Sequence, residues 1–389
     1  MPSYLAPISI AIDGNEANKL ERVGSNVYAH EIIKNLEKIT RLTRKSYFIT
    51  VLLADKPVSD MPRERMGFAY KIIKPTKFWT QWALPLHLFL HKADYDVFYT
   101  PGHYAPRYSA VPYVSSIMDL AFLVYPEQFR KSDLWQLRSW TAYSVKKAKA
   151  IVTISRFSKN EIVKHYGKKS RDILIAYPGY EMTHVKKNQT QELKLIEEIG
   201  IKPPYFLYVG TLQPRKNLIR LVEAYENYLD QTEGASSDKV KLVLAGKQGW
   251  LVDELLEKIA KSPYKDQIIL TGFISDELKS ILMRYCLANF NIGLYEGFGI
   301  PTLEALVKNA LPVVANNSSL PEVIGEAGIE VDPYNVEEIT TTMINIVSGG
   351  AQYKDRYLSK KNKHLSRFDY EKSANQILSL LARVAKNKQ

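Results

Sequence analysis

From residue 8 onward, short β-branched or aromatic runs alternate with stretches whose apolar residues recur at helical spacing. A parallel sheet covered by helices requires this alternation, because its strands are buried on both faces and each crossover helix has one apolar side. In the first half the runs predict strands near residues 8–12, 47–53, 97–100, 112–117, 150–154 and 173–177, with helices notably over 25–38 and 133–147. The pattern then repeats. Strands are expected near 205–209, 241–245, 267–270, 288–292, 311–315 and 329–331, with helices starting near Lys216, Val252, Ser275, Pro301 and Val336 and a final helix from about Tyr370 to Ala385. Residues 181–200 between the two series are polar, including Lys186-Lys187-Asn188-Gln189-Thr190-Gln191. They read as an inter-domain linker with a short helix.

The expected architecture is α/β, with two Rossmann-like doubly wound parallel-sheet domains. The first covers residues 1–185, the second 200–370, and the last helix, 371–389, is expected to cross back onto the first. Two such sheets facing each other create a cleft, and ligands bind beyond the carboxyl ends of the strands, so chemistry belongs in the loops that follow strands.

Composition narrows the class. With 46% hydrophobic and 24% charged residues and no repetitive or Pro/Gly-rich tract, neither disorder nor a repeat array fits. The start, Met1-Pro2-Ser3-Tyr4-Leu5-Ala6-Pro7, lacks the pattern of a signal peptide, and no window approaches a membrane-spanning length of apolar residues. The single cysteine, Cys286, lies on the apolar side of a helical stretch and is expected in the core, which fits a reducing cytoplasm. The net charge of +12 is uneven: residues 1–200 carry 30 Lys+Arg against 19 Asp+Glu (+11), residues 201–350 carry 13 against 19 (−6), and residues 351–389 carry 10 against 3 (+7). Such asymmetry points the first domain toward an anionic surface or substrate.

The most informative stretch is Tyr295-Glu296-Gly297-Phe298-Gly299-Ile300-Pro301-Thr302-Leu303-Glu304, read as strand, glycine loop and helix. Pro301 suits the first helical turn and the glycines admit close approach of a ligand, so a positive helix end faces the site and favours an anion. Glu296 and Glu304 bracket it and suit sugar hydroxyls better than phosphate. A helix start with an acidic residue for its dipole would account for Glu304 alone, not for Glu296 and two glycines. A second anion feature is Gly210-Thr211-Leu212-Gln213-Pro214-Arg215-Lys216-Asn217, where two cations open a helix. They oppose the helix dipole unless a counter-charge such as a diphosphate sits beside them.

These stretches, together with Gly272-Phe273-Ile274-Ser275-Asp276-Glu277-Leu278, resemble the ordered signatures of glycosyltransferase family 4, of GT-B fold. The resemblance reaches the first half through Arg22-Val23-Gly24-Ser25-Asn26, Asp119-Leu120-Ala121-Phe122, Pro126-Glu127 and Ile154-Ser155-Arg156-Phe157-Ser158. It implies that Arg215 and Lys216 bind a donor diphosphate, Glu304 the ribose and Glu296 the sugar. Gly297 and the backbone N–H groups of Phe298, Gly299, Ile300, Pro301 and Thr302 would hold sugar and phosphate. Gly272 and Phe273 would lie by the nucleotide base, while Gly24 and Gly210 would let loops approach the diphosphate. The implied activity is a retaining transfer from a nucleotide-diphosphate sugar, with a lean toward GDP-mannose, to a glycan or lipid-linked glycan. Neither a cofactor nor an obligatory metal is expected, and no nucleic-acid partner.

One position departs from the family. A histidine commonly precedes the residue matching Asp119, whereas this chain has Met118, which cannot hydrogen-bond a sugar hydroxyl. Either His103 substitutes or the step needs no such group, so His103 and Asp119 both remain candidates. Asp94-Tyr95-Asp96 mimics a metal-binding Asp-x-Asp but precedes its strand, the wrong end for a ligand. An inactive nucleotide-sugar-binding scaffold and a GT-B epimerase are the competing readings. Finally, residues 77–92, rich in aromatics and flanked by Lys77 and Lys92, fit either an interfacial segment touching an anionic membrane or a buried helix pair.

Overall fold

The computed structural model describes residues 7–22, 24–42, 46–180, 188–232 and 240–386. The chain divides into two units, Met1–Gly179 with Phe368–Gln389, and Tyr180–Arg367.

The first unit holds seven strands: β1 (Ile8–Asp13), β2 (Tyr47–Leu53), β3 (Phe68–Ile72), β4 (Val97–Thr100), β5 (Tyr113–Ser116), β6 (Ala150–Thr153) and β7 (Ile173–Ile175). They form one sheet in the order β3-β2-β1-β4-β5-β6-β7, with all neighbours parallel and Ile10 of β1 opposite both Ile49 and Val97. β3 was not expected. It is an edge strand with only Phe68 buried, so it lacks the apolar run that marks the inner strands. The helix Ser25–Leu42 extends past residue 38, since Ile39 and Thr40 are also buried. The final helix, Tyr370–Lys386, belongs to this unit. Its Ala374, Ile377, Leu378 and Leu381 are buried, and Ser373 Oγ donates to the Tyr177 carbonyl at 2.6 Å.

The stretch at residues 77–92 proves to be two-sided. A π-helical turn, Trp79–Ala83, runs into the helix Leu84–Leu90. Trp79, Ala83, Leu84, His87 and Leu88 face inward, while Phe78, Trp82, Leu86, Phe89 and Leu90 are exposed.

The second unit has six parallel strands, β8 (Tyr205–Val209), β9 (Lys241–Ala245), β10 (Ile268–Gly272), β11 (Ala288–Asn291), β12 (Leu311–Ala315) and β13 (Ile329–Val331), in the order β10-β9-β8-β11-β12-β13. Both faces are covered, and β8 shows how period 2 serves each. Phe206 and Tyr208 pack with Leu242, Phe290 and the helix Leu218–Gln231, while Tyr205 and Leu207 pack with Val243, Ile281, Leu282 and Cys286. Cys286 is thus a core residue, its thiol pushed up to about 12 by burial.

The boundary between units differs from the sequence expectation. Residues 181–187, including Lys186 and Lys187, lie outside the described residues, but the helix Gln189–Glu197 is part of the second unit and not a linker. Asn188 caps it by accepting from Gln191 N at 3.0 Å, Ile196 is fully buried, and Glu192 accepts from Arg284 at 2.8 Å and from the Tyr285 hydroxyl at 2.8 Å. Its polar outer face hid these inward residues.

Candidate active site

In the second unit the chain builds outward from β8 through β9 and β10, then returns to lay β11, β12 and β13 on the other side. Loops leaving the carboxyl ends of β8 and β11 diverge at this reversal and open a crevice. The two motif loops of the sequence are those loops.

The strand ends approach closely. A Cβ on Gly246, just past β9, would lie 2.0 Å from the carbonyl oxygen of Gly210, just past β8. Only glycine admits that backbone contact. Beyond Gly210, Pro214–Lys216 forms a 3-10 turn, and Asn217 in the left-handed region (φ 59°) separates it from the helix Leu218–Gln231. The helix therefore begins at Leu218 and not near Lys216. Asn217 is buried and its amide ties the turn to both neighbours, donating to the Ile292 carbonyl at 3.2 Å and the Pro333 carbonyl at 2.6 Å.

Arg215 and Lys216 both reach Glu296 in the loop after β11. Arg215 Nη1 lies 3.3 Å from Glu296 Oε2 and also donates to the Tyr295 carbonyl, and Lys216 Nζ meets Glu296 Oε1. The counter-charge that the sequence demanded is thus supplied in part by the protein itself. Glu296 is 8% exposed. Burial pushes its carboxyl up, but Lys216 and Arg215 outweigh it and leave it below the ordinary glutamate range. Two cations thus converge on one carboxylate at the crevice.

The loop itself is held from β12. Glu296 N donates to Ser318 Oγ at 3.1 Å, Ser319 Oγ donates to the Glu296 carbonyl at 2.8 Å, and Asn317 Nδ2 donates to the Leu294 carbonyl at 3.2 Å. These braces went unnoticed in the sequence, where Asn316-Asn317-Ser318-Ser319 at a strand end was the available signal. Gly299, at φ +93°, turns the chain into the helix Ile300–Val307. One expectation is corrected here. Pro301 has no N–H, and Thr302 N donates to the Gly299 carbonyl at 2.9 Å while its hydroxyl accepts from Asn291 Nδ2 at 3.0 Å. Neither residue offers a backbone donor; the Gly299 and Ile300 N–H groups do.

Glu304 lies one turn into this helix and is paired. Lys279 Nζ, from the helix Asp276–Tyr285, is 2.9 Å from Glu304 Oε1 and 2.9 Å from Asp276 Oδ1. Burial pushes the Glu304 carboxyl above its usual range, opposed by Lys279. Lys279 was missed because nothing in Leu278-Lys279-Ser280 marks it as other than a solvated lysine. Gly272 (φ +68°) ends β10, and Phe273 beside it is 69% exposed, an aromatic face at the carboxyl edge of the sheet.

The first unit repeats the logic, with its reversal between β1 and β4. Asp13 ends β1 and accepts from Asn15 N at 3.1 Å, and burial pushes its carboxyl up to about 7. Glu16 accepts from Asn26 in the first turn of the helix that follows Gly24 (φ +54°), and a Cβ on Gly102 after β4 would lie 2.7 Å from Glu16 Cγ. Next to Gly102 stands His103, packed edge-on against Tyr104 and Phe122 with Nε2 buried and without a hydrogen-bond partner. Its basicity is lowered by burial and partly restored by Asp119, whose Oδ1 accepts from Ala121 N at 3.0 Å. The structure thus brings His103 and Asp119 within electrostatic reach, while Met118 is buried. Asp94 and Asp96 are occupied at the amino end of β4, Asp94 by His91 at 2.8 Å and Asp96 by Ser9 N at 2.8 Å.

Two doubly wound units, each with polar loops at the reversal of strand order, define the GT-B fold of glycosyltransferases. Residues 189–365, most of the second unit, match the family model described as glycosyl transferases group 1. The chain is 27% identical over 277 residues to O-antigen chain mannosyltransferase B of Escherichia coli, covering 71% of this chain and 69% of that protein. It is 28% identical over 216 residues to the serotype-specific mannosyltransferase WbdA of Escherichia coli, covering 54% of this chain and 26% of the longer relative. It is 24% identical over 238 residues to an N-acetylgalactosamine-N,N'-diacetylbacillosaminyl-diphospho-undecaprenol 4-alpha-N-acetylgalactosaminyltransferase of Campylobacter jejuni, covering 60% of each. Among solved structures, Anabaena Alr3699/HepE in complex with UDP and glucose superposes with a TM-score of 0.70 at 18% identity, over 97% of this chain and 100% of that one.

Proposed function

We propose that the protein is a retaining, metal-independent glycosyltransferase that moves a sugar from a nucleotide-diphosphate sugar to a hydroxyl of a glycan or lipid-linked glycan in polysaccharide or glycoconjugate biosynthesis. GDP-mannose is the favoured donor and a UDP-sugar the alternative. The observation that carries the reading is the pairing of half-buried Arg215 and Lys216 with buried Glu296 at the β8/β11 reversal. Arginine has five N–H donors and the ammonium three, so both cations can hold Glu296 and still meet phosphate oxygens. Glu296 fixes them in advance, so little reorganisation is needed as charge develops on the leaving diphosphate.

In this reading the bond between the anomeric carbon and the phosphate oxygen breaks with its electrons going to the diphosphate. The acceptor oxygen bonds to the same face, and its proton passes to the departing phosphate oxygen. Gly299 and Ile300 N–H together with Arg215 and Lys216 stabilise that anion, doing the work a metal does elsewhere. Glu304 takes the ribose hydroxyls and Phe273 lies by the base, while His103 and Asp119 are the first unit's candidates for meeting a sugar hydroxyl. The lean toward mannose and toward a lipid-linked acceptor draws on the names of the relatives, and peripheral attachment at the inner face of a membrane on the basic first unit.

The test is a panel of nucleotide sugars read by thermal shift, where a ligand at 100 times its dissociation constant adds roughly 2.7 kcal/mol. The stabilising donor is then assayed for transfer with EDTA present. Retained anomeric configuration and undiminished turnover in EDTA are expected. Inversion, or activity lost to EDTA and restored by magnesium or manganese, contradicts the mechanism. Donor bound but neither transferred nor hydrolysed favours the inactive scaffold.

A further inference from the structure

At the amino end of the first sheet lies a cavity of about 1170 Å³ that the transfer reaction does not use. Its wall includes Lys147, Lys149, Arg171 and Arg383, with Asp172 the sole carboxylate among its lining residues. All four cations are exposed, and none forms an ion pair with a described residue. Arg383 comes from the last helix, so the basic tail and the basic first half converge here. Four exposed cations held around one concave site with a single carboxylate repel one another and are suited to an external anion.

Phe89 lines the same cavity and belongs to the exposed face noted above. Phe78, Trp82, Leu86, Phe89 and Leu90 recur at spacings of three or four, one stripe along residues 78–90, with Trp82 72% and Leu90 67% exposed. Lys77 Nζ lies 5.4 Å over the Phe78 ring and Lys92 Nζ 5.5 Å over the Phe89 ring. An apolar stripe ended by lysines and continuous with a cationic cavity suits the boundary between acyl chains and phosphate headgroups.

We infer that the cavity is a headgroup site for anionic phospholipid, and that residues 78–90 lie on the bilayer beside it. This deepens the proposed peripheral attachment and rests on it. Strand β5 begins in the cavity wall at Tyr113 and leads toward Asp119, and its four residues span about 13 Å, so the headgroup site and the loop carrying Asp119 lie at opposite ends of it. Substitutions in the cavity therefore leave chemistry on soluble substrates untouched.

Vesicles of phosphatidylcholine alone and of equal parts phosphatidylcholine and phosphatidylglycerol, sedimented with wild type, Lys149→Gln/Arg383→Gln and Trp82→Ser/Phe89→Ser, provide the test. Wild type is expected to bind the anionic vesicles only, less tightly as salt rises. The cation variant should bind about thirtyfold more weakly, at about fivefold per charge removed, and the apolar variant should weaken too. All three should hydrolyse donor at the same rate. A cation variant that sediments like wild type overturns the headgroup site while peripheral attachment stands; wild type wholly in the supernatant overturns both. Glycerol phosphate bound by wild type and not by the cation variant, with vesicles bound by neither, makes the cavity a free-phosphate site and also overturns the proposal. The donor-hydrolysis arm reports on the transferase reading independently of all three.

Discussion

Glu304 shows what single residues contribute. Its carboxyl is raised by burial and held from rising further by Lys279 at 2.9 Å. Only the ionised form has every lone pair available to ribose hydroxyls, so donor KM should climb as pH falls, beginning above the ordinary glutamate range. Lys279→Met removes the opposing charge, and its KM-against-pH curve should move to higher pH with kcat little changed, whereas Lys279→Arg should restore the wild-type curve. Superimposable profiles for wild type and Lys279→Met would show that Lys279 does not position Glu304. Asp13 poses the opposite problem, a carboxylate kept although burial pushes it up to about 7. The folded state then binds the proton more tightly than the unfolded chain, so this residue costs stability as pH rises from about 4 to about 7, and the full cost persists above that. Asp13→Asn should melt higher than wild type at pH 8, by roughly 1–4 kcal/mol, with the difference fading as pH falls toward 4. An equal or lower melting temperature at pH 8 would contradict this.

At the scale of elements, the inner strands were legible because burial on both faces writes them as continuous apolar runs. β8, β9 and β12 begin and end where those runs do. What escaped was whatever burial does not write: β3 at the sheet edge, the packing of the expected short helix, Gln189–Glu197, into the second unit, and the 3-10 turn that delays the next helix to Leu218. The glycines, the cation pair and both glutamates of the candidate site were readable as chemistry at strand ends. Their pairing was not, since Glu296 meets Lys216 and Lys279 meets Glu304 only through the order of strands in the sheet. Asn217 is the element-scale hinge of that arrangement, a left-handed residue whose buried amide links the turn to Ile292 and Pro333. Asn217→Ala strains the backbone and leaves two buried carbonyls unpaired, and should cost roughly 2–4 kcal/mol. Asn217→Gly should recover only the backbone share. Chemical denaturation followed by fluorescence checks the order wild type, glycine, alanine, and an alanine variant as stable as wild type would remove Asn217 from the account.

For the whole molecule, the division of charge follows the division into units. Residues 1–200 carry +11 and residues 351–389 carry +7, while residues 201–350 carry −6, and the last helix adds its basic end to the first unit. The candidate site lies in the acidic part, so its two cations are a local device and not part of a general basic surface, and replacing them should leave the long-range field nearly unchanged. Among the described residues no helix is long and apolar enough to cross a membrane. The account stands or falls on whether the diphosphate is held at the β8/β11 reversal, and the most direct measurement is the calorimetric affinity of GDP and UDP for wild type and for Arg215→Ala/Lys216→Ala, with circular dichroism as the control for folding. Charge-assisted hydrogen bonds contribute about 1.5–3 kcal/mol each, so the folded double variant should bind the preferred nucleotide roughly a hundredfold or more weakly; a folded double variant with wild-type affinity for that nucleotide would contradict the account.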